Sequence, residues 1–252
     1  MLDLLYPGLS RGTVAALCPS VQKGSSNTVI DQSPWNNNGT LVIMDPGTSW
    51  EVIGGKRALR FNGTNDYVDV PVKSSLQVNT FTYAAWIYST VAGSNLDTQN
   101  VITYGTGGSA YAIYLSVGGQ KVNLYHVGPS TWLTGNTVMS LNTWNHIAGS
   151  WDGFTRKVWL NGVLDNEVAD TTATVTGSTV RIGFRVDGLA GSYFSGGIND
   201  VRICNRAITP QEIRLLAIRQ AIAYERGRPT RMASIAAAGS SRRNNMLTGM
   251  AF

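Results

Sequence analysis

The sequence predicts an all-β fold: a two-sheet antiparallel sandwich or jelly roll, followed by one C-terminal α-helix and an extended basic arm. Three observations predict it. The middle of the chain is a series of short runs in which side chains alternate with a period of two, and Gly, Asn, Ser and Asp fill the gaps. Asn161-Gly162 sits between two apolar pairs in "WLNGVL", the signature of a type I′ hairpin turn. Helical periodicity and caps occur together at one place, "ITPQEIRLLAIRQAIAYERG", near the C-terminus.

Taken in order, residues 1–12 read as an N-terminal extension and 13–208 as the sandwich. "RALRFN" and "DYVDVP" are two strands joined by Asn62-Gly63-Thr64-Asn65, a loop of residues that tolerate left-handed backbone. Tyr67 and Asp69 point one way, Val68 and Val70 the other. "TFTYAAWIYS" places Phe81, Tyr83, Ala85 and Ile87 on one face. "NVITYG", "AYAIYLSV", "KVNLYHV", "WNHIAGSW", "KVWLNGVL", "TVRIGF" and "INDVRIC" continue the series. The expected core is Phe61, Val68, Val70, Phe81, Ala85, Ile87, Val158, Leu160, Ile182 and Val201. The helix is expected over 209–226: Thr209 is a good N-cap, Pro210 suits the first position, Glu212 completes a capping box, and Gly227 and Pro229 stop it. Residues 227–252 are small, polar and basic, with no period.

With 28 glycines, 43% hydrophobic and 14% charged residues, the chain of 252 has enough apolar material for a core. No apolar run reaches membrane-spanning length, and the N-terminus lacks the basic and apolar regions of a signal peptide. Two cysteines, Cys18 and Cys204, are too few for a disulfide scaffold and read as buried thiols; a bridge requires the first and last strands to be neighbours. The net charge of +5 is uneven. From Arg214 onward there are seven Arg and one Glu, so that segment carries +6 and the remainder −1.

"DQSPWNNNGTL", "RALRFNGTNDYVDVP", "FTYAAWIYS", "WNHIAGSWDG", "KVWLNG" and "SGGINDVRICNRAITPQEI" occur in one order over residues 10–216. The series resembles the laminin-G-like, concanavalin A-like jelly-roll family, including members found among phage virion proteins. The resemblance implies two antiparallel sheets, with the first strand and the "INDVRIC" strand side by side at a sheet edge and Cys18 near Cys204. It implies binding of glycans or proteins, and in many members a structural calcium. For calcium the candidate ligands are Asp31, Asn65, Asp66 and Asp200, hard oxygens of the kind that ion prefers; the alternative is that "FNGTND" is only a turn. For a glycan the candidates are Tyr104, Tyr114, Tyr125, Trp132 and Tyr193.

The same sandwich supports glycosidases, which need two carboxylates flanking the scissile bond. No E-x-D-x-E strand is present; Asp165, Glu167 and Asp170 read as a solvated hairpin face, and His126 and His146 as structural or surface residues. There is no G-x-S-x-G, H-E-x-x-H or P-loop either. The expectation is therefore a non-enzyme: a structural or adhesive component of a virus particle, made in the host cytoplasm. It decorates a capsid or tail, bound to other virion chains through the helix and arm by Arg219, Arg226, Arg228, Arg231, Arg242 and Arg243. The alternative is a soluble lectin-like module. Neither a membrane nor nucleic acid is expected as a partner.

Overall fold

A computed structural model describes residues 10–92, 99–106, 112–126, 131–172 and 176–218. It contains β1 (Thr13–Leu17), β2 (Thr28–Val29), β3 (Gly39–Val42), α1 (Pro46–Ser49), β4 (Trp50–Ile53), β5 (Lys56–Asn62), β6 (Tyr67–Pro71), a 3-10 turn (Ser74–Leu76), β7 (Phe81–Ser89) and β8 (Gln99–Gly105). These are followed by β9 (Ala112–Gly118), β10 (Lys121–His126), β11 (Thr131–Thr134), β12 (Trp144–Trp151), β13 (Thr155–Leu160), β14 (Val163–Ala169), β15 (Thr179–Ile182), β16 (Ser195–Cys204) and α2 (Pro210–Ile218).

The strands form two eight-stranded antiparallel sheets. The first has the order β14-β13-β12-β7-β16-β5-β4, with β1 also on β16; the second runs β11-β10-β9-β8-β15-β6-β3-β2. Alternation decides what lies between them. Phe81, Ala85 and Ile87 of β7 meet Leu115, Leu124, Ile102 and Val180 from the facing sheet in one core, and every expected core residue is buried there. Asn161 and Gly162 both have positive φ, 50° and 84°, the backbone a type I′ turn requires, and they join β13 to β14 as a hairpin.

The capping box is formed. Glu212 accepts from the Thr209 backbone N–H at 2.7 Å, and the Glu212 N–H donates to Thr209 Oγ1 at 3.3 Å. Arg206 adds a bidentate pair with the same carboxylate. Ile213 and Leu216 then press α2 onto Ala84, Ala148 and Trp159, covering the part of the first sheet's outer face formed by β7, β12 and β13. Residues 219–226 of the expected helix, and the arm, lie outside the described residues.

The resemblance placed β1 beside β16 at an edge, and the pairing is present, but β16 is interior, between β7 on one side and β5 and β1 on the other. The two cysteines are not neighbours. Antiparallel register sets Thr13 opposite Cys204 and Leu17 opposite Val201, so Cys18 lies at the far end of the pair, roughly 15 Å along the strand. Both thiols are free and buried, and burial pushes both upward in pKa. Cys18 Sγ donates to Asp200 Oδ1 at 3.0 Å.

Burial also fixes His146 on the outer side of β12, where it is 2% exposed against the Trp86 ring. Desolvation holds its pKa down at about 4, from an ordinary 6.5. The unfolded chain takes up a proton near 6.5 and the folded chain does not, so this contribution is complete above pH 6.5 and lost as pH falls towards 4. Unfolding free energy is expected to drop by about 3 kcal/mol over that window, and His146→Gln is expected to flatten it. Urea titrations at pH 7.5, 6, 5 and 4.5 test this; equal pH slopes for the two proteins would exclude His146 as the cause.

Candidate functional site

Asp31, expected as a metal ligand, is fully buried and accepts four hydrogen bonds. They come from the backbone N–H of Ala16, Ser33 and Asn37 and from Ser33 Oγ, at 2.6 to 2.8 Å. It ties the "DQSPWNNN" loop to β1. Asp200 occupies a bulge with φ 47° and is paired to Arg202 Nε at 2.6 Å. In "FNGTND", the Asn62 side-chain oxygen accepts from the backbone N–H of Thr64, Asn65 and Asp66, Asn62 Nδ2 donates to Asn65, and Asp66 accepts from the Asn62 N–H. The stretch is a turn satisfied by its own side chains. Among the described residues no three of His, Cys, Asp and Glu form a metal-sized group. The Asp31 oxygens are taken by protein donors and Asp200 is paired to an arginine, so these two carboxylates do not fit calcium, which needs several free oxygens converging on one point.

The acidic trio of the hairpin is also redistributed. Asp165 receives the Thr137 N–H and Glu167 faces Lys157 at 3.4 Å. Asp170, expected on a solvated face, is instead buried between the sheets. Its Oδ2 lies 2.8 Å from both His126 Nδ1 and Arg156 Nε, and its Oδ1 takes the Thr172 N–H. The strand ends at Ala169, and the chain turns inward before Asp170, which hairpin periodicity does not reveal. Burial raises the Asp170 carboxyl, but the bonds from His126 and Thr172 outweigh it and hold its pKa below the usual range.

Of the aromatic candidates, Tyr104 is a core residue. It is fully buried, donates to Gln77 Oε1 at 2.7 Å and accepts the Gly177 N–H at 2.8 Å, because past the bulge between Asn100 and Ile102 strand β8 turns Ile102 and Tyr104 inward. Tyr125 and Trp132 are brought together on the outer face of the second sheet, half-buried, with ring centroids 5.0 Å apart and both packed on Val186. Antiparallel register continues their row through Tyr114, Thr103, Arg181 and Asp69. The Tyr114 side chain and Arg219, Arg226, Arg228, Arg231, Arg242 and Arg243 lie outside the described residues.

Tyr193 reaches this face from a loop and stacks on Phe184 at 3.8 Å and 4°. Phe184 in turn meets Tyr67 at 5.5 Å, while Arg181 lies over both rings and pairs with Asp69 at 2.9 Å. Sequence reading did not single out Tyr67, Phe184 or Val186. The outward alternation of Tyr67 with Asp69 was visible; the loop's path over the sheet was not. On the first sheet the indoles of Trp86 and Trp144 are filled by the chain's own Lys56, whose ammonium lies 4.0 and 5.0 Å from the ring centroids.

A sequence profile of the concanavalin A-like lectin/glucanases superfamily matches residues 62–214. The chain belongs to this superfamily. Pentraxin-related protein PTX3 of Mus musculus is 28% identical over 151 residues, 55% of this chain and 39% of that protein. PTX3 of Homo sapiens is 25% identical over 181 residues, 66% and 46%. The chain thus spans less than half the length of these relatives. Among solved structures, domain 4 of AbnA, a GH43 extracellular arabinanase from Geobacillus stearothermophilus in complex with arabinotriose, superposes with TM-score 0.64 at 19% identity, over 81% of this chain and 98% of that one. The binding domain of Paraclostridial Mosquitocidal Protein 1 gives 0.62 at 16%, over 83% and 52%.

Proposed function

We propose that this superfamily member is a non-catalytic carbohydrate-binding module whose platform is Tyr125 and Trp132. The observation that carries it is the partly buried pair of rings, 5.0 Å apart, on the sheet face that α2 does not cover. Flat aromatic faces take the apolar side of a sugar ring, and neighbouring polar groups fix its orientation. A structural neighbour holds arabinotriose and another is a toxin's binding domain, which supports the same reading. The non-catalytic assignment rests on the acids: Asp165 and Glu167 are engaged at the hairpin and Asp170 is buried, so these three give no pair flanking a cleft.

Trp132→Ala and Tyr125→Ala are each expected to weaken binding about tenfold or more to whichever saccharide a glycan array returns. The melting temperature should hardly move, since both rings are partly solvated. Unchanged affinity in both variants would place the site elsewhere.

The virion setting is a second proposal, favoured by one sequence observation, the +6 segment from Arg214 onward. A chain ending at Ile218 is expected to stay folded and to lose attachment to purified particles; equal attachment of both forms would end that proposal. Among the described residues no helix is long and apolar enough to cross a membrane.

A further inference from the structure

On the outer face of the first sheet an ammonium group stands without a counter-ion. Two consecutive glycines turn β4 into β5: Gly54 and Gly55 have φ of 52° and 80°, and a Cβ on Gly54 would sit 2.8 Å from the Tyr88 ring and 3.0 Å from Trp144 Nε1. The bare turn therefore lies close on that pair and brings Lys56 over the outward residues of β7 and β12. Lys56 Nζ lies 4.0 Å from the Trp86 ring centroid and 5.0 Å from that of Trp144. Each indole is fixed by its own N–H: Trp86 Nε1 donates to the Leu216 carbonyl at 3.3 Å and Trp144 Nε1 to the Ile53 carbonyl at 2.9 Å. Among the described residues Lys56 Nζ makes no hydrogen bond and no ion pair. Glu51 of β4 and Asp200 of β16 are already paired, to Arg60 at 3.7 Å and to Arg202 at 2.6 Å. Burial lowers the Lys56 pKa from its usual 10.5, as expected of a charge short of solvation.

We infer that Lys56 anchors a second binding site, on the outer face of the first sheet, for a negatively charged sugar unit such as a uronate or a sulfated hexose. The sugar as carrier rests on the carbohydrate reading above; the anionic group follows from Lys56 itself. A cationic ligand is disfavoured. It would compete for the rings with an ammonium tethered beside them, at an effective concentration in the millimolar range. An anion instead supplies what the ammonium lacks, an acceptor of opposite charge for its three unspent N–H donors. Tyr88 and Trp144 are partly exposed, with ring centroids 5.7 Å apart, and the Tyr88 hydroxyl also makes no hydrogen bond among the described residues. They give the charge an aromatic wall and a second donor. Both indoles are held in place before a ligand arrives, so little ordering remains to oppose binding. This site and the Tyr125–Trp132 platform belong to different sheets, on opposite faces of the sandwich, so one chain holds two glycans at once.

The test follows the indole N–H resonances of Trp86 and Trp144 in the nitrogen-15-labelled full chain at low salt. The probes are methyl glucuronide and N-acetylglucosamine 6-sulfate, their neutral counterparts methyl glucoside and N-acetylglucosamine, and sodium sulfate. The acidic sugars are expected to shift both resonances and to bind about tenfold or more tighter than the neutral ones. Lys56→Met keeps an apolar stem over the rings and removes the charge; it is expected to weaken acidic-sugar binding about tenfold or more, while Lys56→Arg stays within about threefold. Trp132→Ala should leave these shifts unchanged. Should Lys56→Met fail to fold, the comparison of acidic with neutral sugars on the wild type still decides. Acidic and neutral sugars binding alike, or Lys56→Met binding as tightly as the wild type, would overturn the site. Sodium sulfate matching the sulfated sugar would mean an adventitious ion only and would overturn it too. Acidic-sugar binding lost in Trp132→Ala would assign that binding to the other sheet. The platform survives every one of these failures, because neutral glycans and Trp132→Ala test it separately.

Discussion

Asp170→Asn is expected to cost about 3–5 kcal/mol of stability, enough to lower the melting temperature by roughly 10 °C or more. The substitution keeps the shape and removes the charge. Arg156 is 2% exposed, and its guanidinium lies against the Asp170 carboxylate at the end of the core beneath β10. An ionised carboxylate only accepts, so His126 Nδ1 carries the hydrogen of their 2.8 Å bond, and Trp151 Nε1 donates to the Asp170 carbonyl as well. With the charge gone, a buried arginine is left uncompensated, and that penalty exceeds the worth of the pair itself. Pairing Asp170→Asn with Arg156→Met should therefore recover part of the loss. Urea unfolding of the single and double variants measures both; a single-variant loss below about 1 kcal/mol would show that water reaches the arginine.

Asp31→Ala is the second large effect. It strands four buried donors, three of them backbone N–H groups, at about 1–3 kcal/mol each before relaxation, so a loss of about 4 kcal/mol or more is expected. The same geometry separates a hydrogen-bond hub from a metal ligand. Because protein donors already fill both oxygens, calcium or a chelator should shift the wild-type melting temperature by less than about 1 °C. A calcium-dependent rise that Asp31→Ala abolishes would restore the metal reading.

Much of the fold was legible. Period-two alternation assigned the inward residues of β6, β7 and β13, and Thr209 with Glu212 marked the start of α2, because these signals involve groups a few residues apart. The turn in "FNGTND" was legible as one of two readings, and the side-chain bonds of Asn62 decide for the turn. The site was less legible. Tyr104, Tyr125 and Trp132 are alike on paper as aromatics in strands, yet one is sealed in the core and two share a surface row. Asp165, Glu167 and Asp170 read as one patch, yet the last belongs to the interior.

The sequence by itself determined which stretches are strands, which face of each is apolar, where the hairpin turns and where the helix starts, since all of these follow from local backbone preference and alternation. Only the tertiary structure decided which strands are neighbours and in what register. That choice set Cys18 and Cys204 at opposite ends of one strand pair. It aligned Trp132, Tyr125, Thr103, Arg181 and Asp69 across the sheet. It also laid α2 on one outer face and the 184–193 loop on the other. Such placements depend on burial and pairing between segments tens of residues apart, which no local pattern encodes.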